Sequence, residues 1–194
     1  FYWMGVLIHV FRVQKKIGRS PNITPRGLKE WLLWTGWALV IEGWIIQPVI
    51  VGSNSASAFF GLFNLLLHPL GIVAGIVMVL CGYAGTLWCY RTLGDAWRIG
   101  INKHERTVLV KHGPYRFVRH PIYLFQMVIL IGVLLLLPTL FSVVVVTVHF
   151  ICVFIKALDE EAFLSSIHGQ EYRDYCSRTG RLLPRVSPLH IHRG

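Results

Sequence analysis

The chain has 194 residues, of which 54% are hydrophobic and only 14% are charged, a balance outside the usual range of soluble domains. Its mean hydropathy of +0.56 predicts a membrane protein. The formal net charge of +10 is compatible with nucleic-acid binding, but basic residues beside apolar runs are more typical of loops at an anionic membrane surface. We therefore expect no nucleic-acid partner.

Apolar runs separated by polar segments predict an all-α, polytopic integral membrane protein, with about five transmembrane helices in a single domain over residues 1–194. The first run is short, and we expect it to belong to a longer first helix. In chain order, the predicted spans cover residues 1–13, 28–50, 59–90, 122–137 and 140–155.

Proline positions predict several helix boundaries. A residue before proline avoids the α region, so we expect a kink or the end of a half-helix at His68. Pro121 suits the first position of a helix. The last two spans are separated only by Pro138 and Thr139, which predicts an antiparallel helical hairpin. After it, we expect a tail helix over 156–168 that ends at a glycine.

The distribution of positive charge predicts an orientation. All 19 Lys and Arg residues fall in the segments 12–29, 91–119 and 156–193, which contain six, seven and six of them. With five spans, these three segments lie on the same side of the membrane. The positive-inside rule then makes that side cytoplasmic.

Hairpin geometry places two polar clusters together on that side. His120 and Tyr123 lie where the hairpin enters, and Asp159, Glu160 and Glu161 lie where it leaves. Consecutive carboxylates near the C-terminal end of a helix oppose its macrodipole, so we expect that the helix continues or that a cationic group binds them. Salt bridges that anchor the tail are the structural alternative to a ligand site.

Other polar residues in apolar runs carry weaker signals. A charge at Glu42 costs about 3 kcal/mol on insertion scales, so this residue should face the bundle, pair or be protonated. Isolated histidines such as His68 and His149 are more often structural than ligands. His190 and His192 have no acidic or cysteine partner at a useful spacing, so no metal site is predicted.

One ordered pattern spans roughly residues 94–185, about half of the chain. It consists of Leu109-Val110-x-x-Gly113-Pro114-Tyr115, Arg119-His120-Pro121-x-Tyr123, then Glu160-Glu161 about 36 residues later, and Gly169-x-Glu171-Tyr172-x-x-Tyr175. This pattern resembles the isoprenylcysteine carboxyl methyltransferase family and its phospholipid methyltransferase relatives.

The resemblance implies an S-adenosylmethionine-dependent integral membrane methyltransferase, whose lipidic acceptor enters from the bilayer and whose cofactor pocket lies on the cytoplasmic face. The roles it implies are catalytic for Glu160, Glu161 and Arg119; cofactor-binding for Leu109, Val110, His112, Tyr115, His120, Pro121, Tyr123 and Glu160; and substrate-binding for Lys156 and Arg173. The expected partners are the lipidic acceptor and membrane lipids, and neither a metal nor an obligate protein partner is predicted.

Two positions depart from the family pattern. Phe125 stands where many relatives have glycine, and Lys156 stands where the carboxyl methyltransferases carry arginine. Lysine keeps the charge but lacks the bidentate fork that binds a carboxylate. The acceptor therefore stays open between a prenylcysteine-type carboxylate and a lipid amine.

Two other functions stay open at this point. An NADPH-dependent sterol or steroid reductase has a related C-terminal layout, and Arg91, Arg98 and Arg106 would bind the 2′-phosphate. A non-enzymatic lipid-binding protein would use the basic face alone. This last reading predicts that charge-neutral changes at Glu160 and Tyr115 are tolerated.

Overall fold

The computed structural model describes residues 5, 8, 10–12, 14, 15, 27–52, 63, 67–94 and 108–185. Its helices are α1 (Leu28–Gly52), α2 (Pro69–Leu93), α3 (Pro121–Leu136), α4 (Leu140–His168) and α5 (Gln170–Arg178), with a 3-10 helix at Gly113–Arg116. Within these ranges, β pairing is limited to one bridge between Val118 and Gly180. The predicted all-α class is confirmed.

Among the described residues, the helices α1, α2 and α4 are long and apolar enough to cross a membrane. The shortest of them has 25 residues, about 37 Å at 1.5 Å per residue, against a hydrocarbon core of about 30 Å. Helix α3 is apolar but has only 16 residues. The predicted span over 1–13 and the half-helix predicted to end at His68 fall largely outside the described residues. The count of five spans therefore stays a prediction.

The helix boundaries follow the predicted proline positions. Helix α2 begins at Pro69, and Nδ1 of His68 accepts a hydrogen bond from the backbone N–H two residues later, at 3.3 Å. Helix α3 begins at Pro121. The hydroxyl of Thr139 accepts a hydrogen bond from the N–H of Ser142 at 3.0 Å and caps α4. The hairpin of α3 and α4 is thus confirmed.

Helix α4 differs from the prediction in one respect. A membrane span and a separate tail helix were expected, but α4 runs unbroken through both and ends at His168. Gly169, at a φ of +54°, terminates it as predicted. Because the helix continues past Glu160 and Glu161, these carboxylates lie away from its negative end, which reduces the macrodipole cost.

Helices α2 and α3 pack closely because small residues line their contact. A Cβ atom on Gly82 would lie 2.5 Å from Cγ1 of Ile129 and 2.8 Å from the carbonyl oxygen of Phe125. The ring of Phe125, the residue that departs from the family pattern, occupies the space over Gly85. Close backbone approach through small residues is a common basis of helix association in membranes.

We expect Gly82→Ala to lower the thermal stability of the detergent-solubilised protein by about 1–3 kcal/mol, because the added methyl group overpacks the α2–α3 contact. The matched control is Gly52→Ala, where a Cβ atom meets nothing within 4 Å. Thermal unfolding followed by circular dichroism measures both variants. Equal melting temperatures for the two would contradict this account of the contact.

Helix α1 packs on the α3–α4 hairpin around a small core of Val40, Leu130 and Val145. A buried polar contact joins the same elements farther along, where the Gln47 amide donates hydrogen bonds to the hydroxyls at the start of α4. Of the arrangements expected for Glu42, burial in the bundle is excluded, because this residue is exposed on α1.

Candidate functional site

The segment that enters α3 is joined to the segment that follows α5. Val118 and Gly180 form a parallel bridge. The backbone N–H of Arg119 donates a hydrogen bond to the carbonyl of Gly180 at 2.8 Å, and that of His120 donates to the carbonyl of Arg181 at 3.1 Å. The C-terminal tail therefore lies directly against the residues from which the candidate site is built.

Helix α5 is attached to the 3-10 helix by a second set of contacts. The hydroxyl of Tyr175 donates a hydrogen bond to the carbonyl of Tyr115 at 2.7 Å. Burial raises the pKa of Tyr175 to about 12, so this hydroxyl stays protonated and able to donate. The exposed ion pair of Lys111 with Glu171, at 2.7 Å, contributes little to stability because solvent screens it.

Glu161 is the centre of a set of ion pairs that we call the Glu161 clamp, formed by Arg119, His120, Glu161 and Arg181. Nε of Arg119 donates to Oε1 at 2.9 Å, and Arg181 donates to both carboxylate oxygens at 2.9 and 2.8 Å. Arg119 also donates to the backbone carbonyl of Thr179. The clamp thus ties three parts of the chain together, and all the cations on Glu161 come from the protein itself.

Glu160, the neighbouring carboxylate, has a different environment. The hydroxyl of Tyr123 donates to its Oε1 at 2.7 Å, and Nδ1 of His120 lies 3.3 Å from its Oε2. The rings of His120 and Tyr123 stack with centroids 5.6 Å apart. The Glu160 side chain is 26% exposed, compared with 14% for Glu161. Within the described residues no Lys or Arg pairs with it, so Glu160 is the carboxylate that can receive a cationic ligand.

His120 lies between the two carboxylates. Burial by itself lowers its pKa, but hydrogen bonding and charge interaction with Glu160 and Glu161 outweigh burial, so its pKa is raised above the ordinary value of 6.5. Nε2 lies 3.3 Å from Oε1 of Glu161, yet it is buried without a hydrogen bond of good geometry to any described residue. Nε2 of His120 therefore contacts Glu161 as an ion pair and is enclosed by the protein.

The raised pKa of His120 predicts a pH-dependent stability. Protonated His120 stabilises the fold fully below about pH 6.5, and this contribution is lost as the pH rises through the raised pKa. The melting temperature of the wild type should therefore exceed that of His120→Gln most at pH 6 and least at pH 9. The control is His112→Gln, at an exposed histidine. A gap that is constant with pH for His120→Gln would contradict the prediction.

The other predicted site residues occupy varied positions. Leu109 and Val110 are half-buried, His112 is exposed, and Tyr115 and Pro121 are buried around the 3-10 helix and the start of α3.

The two residues predicted to bind substrate do not join the carboxylate cluster. Lys156 is half-buried on α4, without an ion pair among the described residues. Arg173 is exposed and donates to Gln170 on its own helix. Arg91 is exposed at the end of α2, whereas the other two arginines suggested for a 2′-phosphate, at positions 98 and 106, lie outside the described residues.

Sequence reasoning missed Arg181 and the backbone pairing of Gly180. The family pattern ends at Tyr175, so it gave no reason to select one of the several tail arginines. One signal was present: the basic tail follows two consecutive glutamates that need cationic partners. That signal predicts an ion pair but not which arginine forms it.

Comparison with known proteins gives one family. The family model described as phospholipid methyltransferase matches residues 70–171, a range that begins with α2 and includes the carboxylates and the α3–α4 hairpin.

Within the described part of the chain, no group of three His, Cys, Asp or Glu side chains is placed to hold a metal ion.

Three curated relatives are similar to parts of the chain. A nickel-cobalt-cadmium resistance protein, NccN, of Alcaligenes xylosoxydans xylosoxydans is 27% identical over 60% of this chain and 51% of its own. A cobalt-zinc-cadmium resistance protein, CzcN, of Cupriavidus metallidurans is 28% identical over 77% and 65%. A probable protein-S-isoprenylcysteine O-methyltransferase of Oryza sativa subsp. indica is 31% identical over 58% and 60%. The chain thus spans between about half and two thirds of these relatives' lengths.

Proposed function

Because this chain belongs to the phospholipid methyltransferase family, we propose that it is an S-adenosylmethionine-dependent membrane methyltransferase that acts on a lipidic acceptor. The observation that carries the proposal is Glu160, a partly exposed carboxylate that is positioned by Tyr123 and His120 but not neutralised by a Lys or Arg side chain of the described residues. A carboxylate held in this way has room for an external cation.

The residues around Glu160 fit the parts of the cofactor. Its sulfonium and amino groups are cationic and suit Glu160, and its adenine suits the aromatic faces of Tyr115 and Tyr123. When bound, S-adenosylmethionine supplies an electrophilic methyl group for transfer to a nucleophilic atom of the acceptor.

The protein's own contribution is binding and orientation. Glu160 holds a cationic group, Tyr123 fixes the Glu160 carboxylate through its hydrogen bond, and the Glu161 clamp keeps the tail against the site and restricts water. Holding donor and acceptor in reactive geometry can lower a barrier by about 7–11 kcal/mol. A carboxylate or thiolate acceptor is already ionised and needs no general base, whereas a protonated lipid amine must first lose a proton.

The proposal includes a topology. The long apolar helices support a protein that crosses the membrane several times, and the confinement of Lys and Arg to three segments supports a cytoplasmic site. The acceptor then reaches Glu160 from the bilayer, while the soluble cofactor enters from the cytoplasm. The names of the family and of the rice relative supply two acceptor classes to test: phospholipids and prenylcysteine carboxylates.

Isothermal titration calorimetry with S-adenosylhomocysteine on the purified protein in detergent tests the cofactor. We expect binding, and no competition from NADPH. Transfer of labelled methyl groups to a panel of prenylcysteines and phospholipids then identifies the acceptor class. Absence of S-adenosylhomocysteine binding to folded protein would refute the proposal, and displacement by NADPH alone would favour a reductase.

A further inference from the structure

One side of α4 carries a row of exposed apolar side chains, which we call the α4 stripe. Its members are Phe150, Ile151, Phe154 and Leu158. Residues four apart share a helix face, so the stripe is a continuous surface along an apolar helix and faces lipid. The predicted span ends at residue 155, and the stripe therefore crosses the boundary between the hydrocarbon layer and the headgroups.

The tail that follows α5 contacts α4 at this boundary. The guanidinium carbon of Arg181 lies 5.4 Å from the centroid of the Phe154 ring, while the same side chain binds Glu161. Leu182 packs against a buried cluster of Tyr123, Val153 and Ala157. The tail is therefore held at the level where α4 leaves the hydrocarbon layer.

The next tail residues are exposed, and they are apolar and basic. Leu183 has 71% of its surface exposed, although it directly follows a residue packed on α4. Arg185 is exposed, and its Nη1 donates to the carbonyl of Ser177 at 2.8 Å, which holds it at the end of α5 beside exposed Arg178. In the described part of the chain, neither arginine pairs with a carboxylate. Segments at a membrane interface combine apolar and basic side chains in this way.

The segment that pairs with the tail adds the same two kinds of side chain. Arg116 and Phe117 are exposed, the latter to 55%, and they directly precede Val118, which forms the bridge with Gly180. Basic side chains alone would suit many anionic partners. The exposed phenylalanine and leucine at the level of the hydrocarbon boundary favour a lipid surface, because only there do both kinds of side chain find a partner.

We propose that these side chains form a docking surface for an anionic phospholipid leaflet, made of Arg116, Phe117, Arg178, Leu183 and Arg185. The two apolar side chains insert where acyl chains meet headgroups, and the arginines bind lipid phosphates. Because Arg181 belongs to the Glu161 clamp, a tail seated in the leaflet also keeps this arginine against its carboxylate. The lipids bound here are bulk membrane lipids and not the methyl acceptor, so the inference goes beyond the proposed function.

Hydrogen–deuterium exchange measured by mass spectrometry tests the inference on the whole chain, without cofactor. The protein is placed in nanodiscs of phosphatidylcholine or of an equal mixture with anionic phosphatidylglycerol. The readout is the exchange of the N–H groups of Arg119 and His120, which donate to tail carbonyls and become exchangeable when the tail leaves. We expect exchange to be roughly five-fold slower in the anionic nanodiscs, the effect of one arginine at an anionic surface.

Substitutions of exposed side chains assign this protection to the docking surface. Leu183→Ser should accelerate exchange in both kinds of nanodisc, because the tail loses its inserted side chain. Arg178→Gln should reduce the difference between the two lipids. The matched control is Arg173→Gln, which lies about 140° around α5 from Arg178 and should keep the full difference.

Three results would overturn the inference. The first is equal exchange of the wild type in the two kinds of nanodisc, and the second is wild-type exchange in Leu183→Ser. The third is slowing of exchange by soluble glycerol phosphate in phosphatidylcholine nanodiscs, which would identify a site for free phosphate instead of a bilayer surface. An equal loss in Arg173→Gln and Arg178→Gln would likewise replace the docking surface with the general charge of the tail.

Discussion

Glu161→Gln should destabilise the protein by about 2–4 kcal/mol. The substitution removes the carboxylate but leaves Arg119, Arg181 and His120 facing one another around a neutral amide. The side chains of Arg119 and Glu161 are only 12% and 14% exposed, so little water is available to replace the lost partner. Breaking a fully buried ion pair costs about 3–5 kcal/mol, and the 32% exposure of Arg181 reduces that figure here.

Thermal unfolding in detergent, supported by limited proteolysis of the tail, measures this effect. The matched control is Glu171→Gln, which removes an exposed carboxylate from the pair with Lys111 and should change stability by less than about 1 kcal/mol. Tail cleavage should accelerate in Glu161→Gln and not in the control. Similar melting temperatures for both variants would show that the Glu161 clamp does not hold the tail.

Glu160→Gln should have the opposite profile, with a stable fold and a large loss of function. The amide keeps an oxygen to accept the hydrogen bond from Tyr123 but loses the ion pair of Oε2 with Nδ1 of His120, so the melting temperature should fall less than in Glu161→Gln. The variant loses the negative charge that we assign to the ammonium group of the cofactor, which S-adenosylhomocysteine also carries. A charge-assisted hydrogen bond is worth about 1.5–3 kcal/mol, which corresponds to a loss in S-adenosylhomocysteine affinity of roughly 10- to 150-fold.

Asp159→Asn is the appropriate control for this prediction, because it removes an adjacent negative charge from the same helix. Asp159 pairs with Lys29 at 2.6 Å rather than with the His120–Tyr123 pair. Calorimetry should therefore find nearly normal S-adenosylhomocysteine affinity in Asp159→Asn. If the two variants bind S-adenosylhomocysteine equally weakly, the overall negative charge of this surface determines the affinity and Glu160 has no specific role. Unchanged affinity in Glu160→Gln would remove the main support for the cofactor site.

Local chemistry explains which parts of the fold were predictable from the sequence. Prolines define helix starts at Pro69 and Pro121 because their missing N–H groups and fixed φ act on neighbouring residues only. Gly169 ends α4 for a similarly local reason, its positive φ. The continuity of α4 was predicted only as one of two alternatives, because the change from apolar to polar residues at Lys156 marks a change of environment and gives no information on the backbone conformation.

The site was predictable only as far as the hairpin determines it. Because Pro138 and Thr139 allow a tight antiparallel turn, His120 and Tyr123 had to come near Glu160 and Glu161. The two glutamates differ because Arg181 pairs with Glu161 and not with Glu160. The position of Arg181 follows from the backbone pairing of Gly180 with Val118. Such pairing between distant segments has no local sequence signal. The buried Nε2 of His149, which has no hydrogen bond to a described residue, was likewise not predicted, because a lone histidine in an apolar run is usually structural.

The Glu161 clamp also has a consequence for the order in which the protein is made. Its acidic residue is on α4, but one of its arginines follows α5, so the site is completed only after the ribosome has synthesised Arg181. A nascent chain can insert every described membrane helix and still have Arg119 and Glu161 without their third partner. Translation that stops a few residues early would therefore leave Glu161 without the arginine that contacts both of its carboxylate oxygens. Completion of the clamp thus coincides with the end of synthesis of the described region.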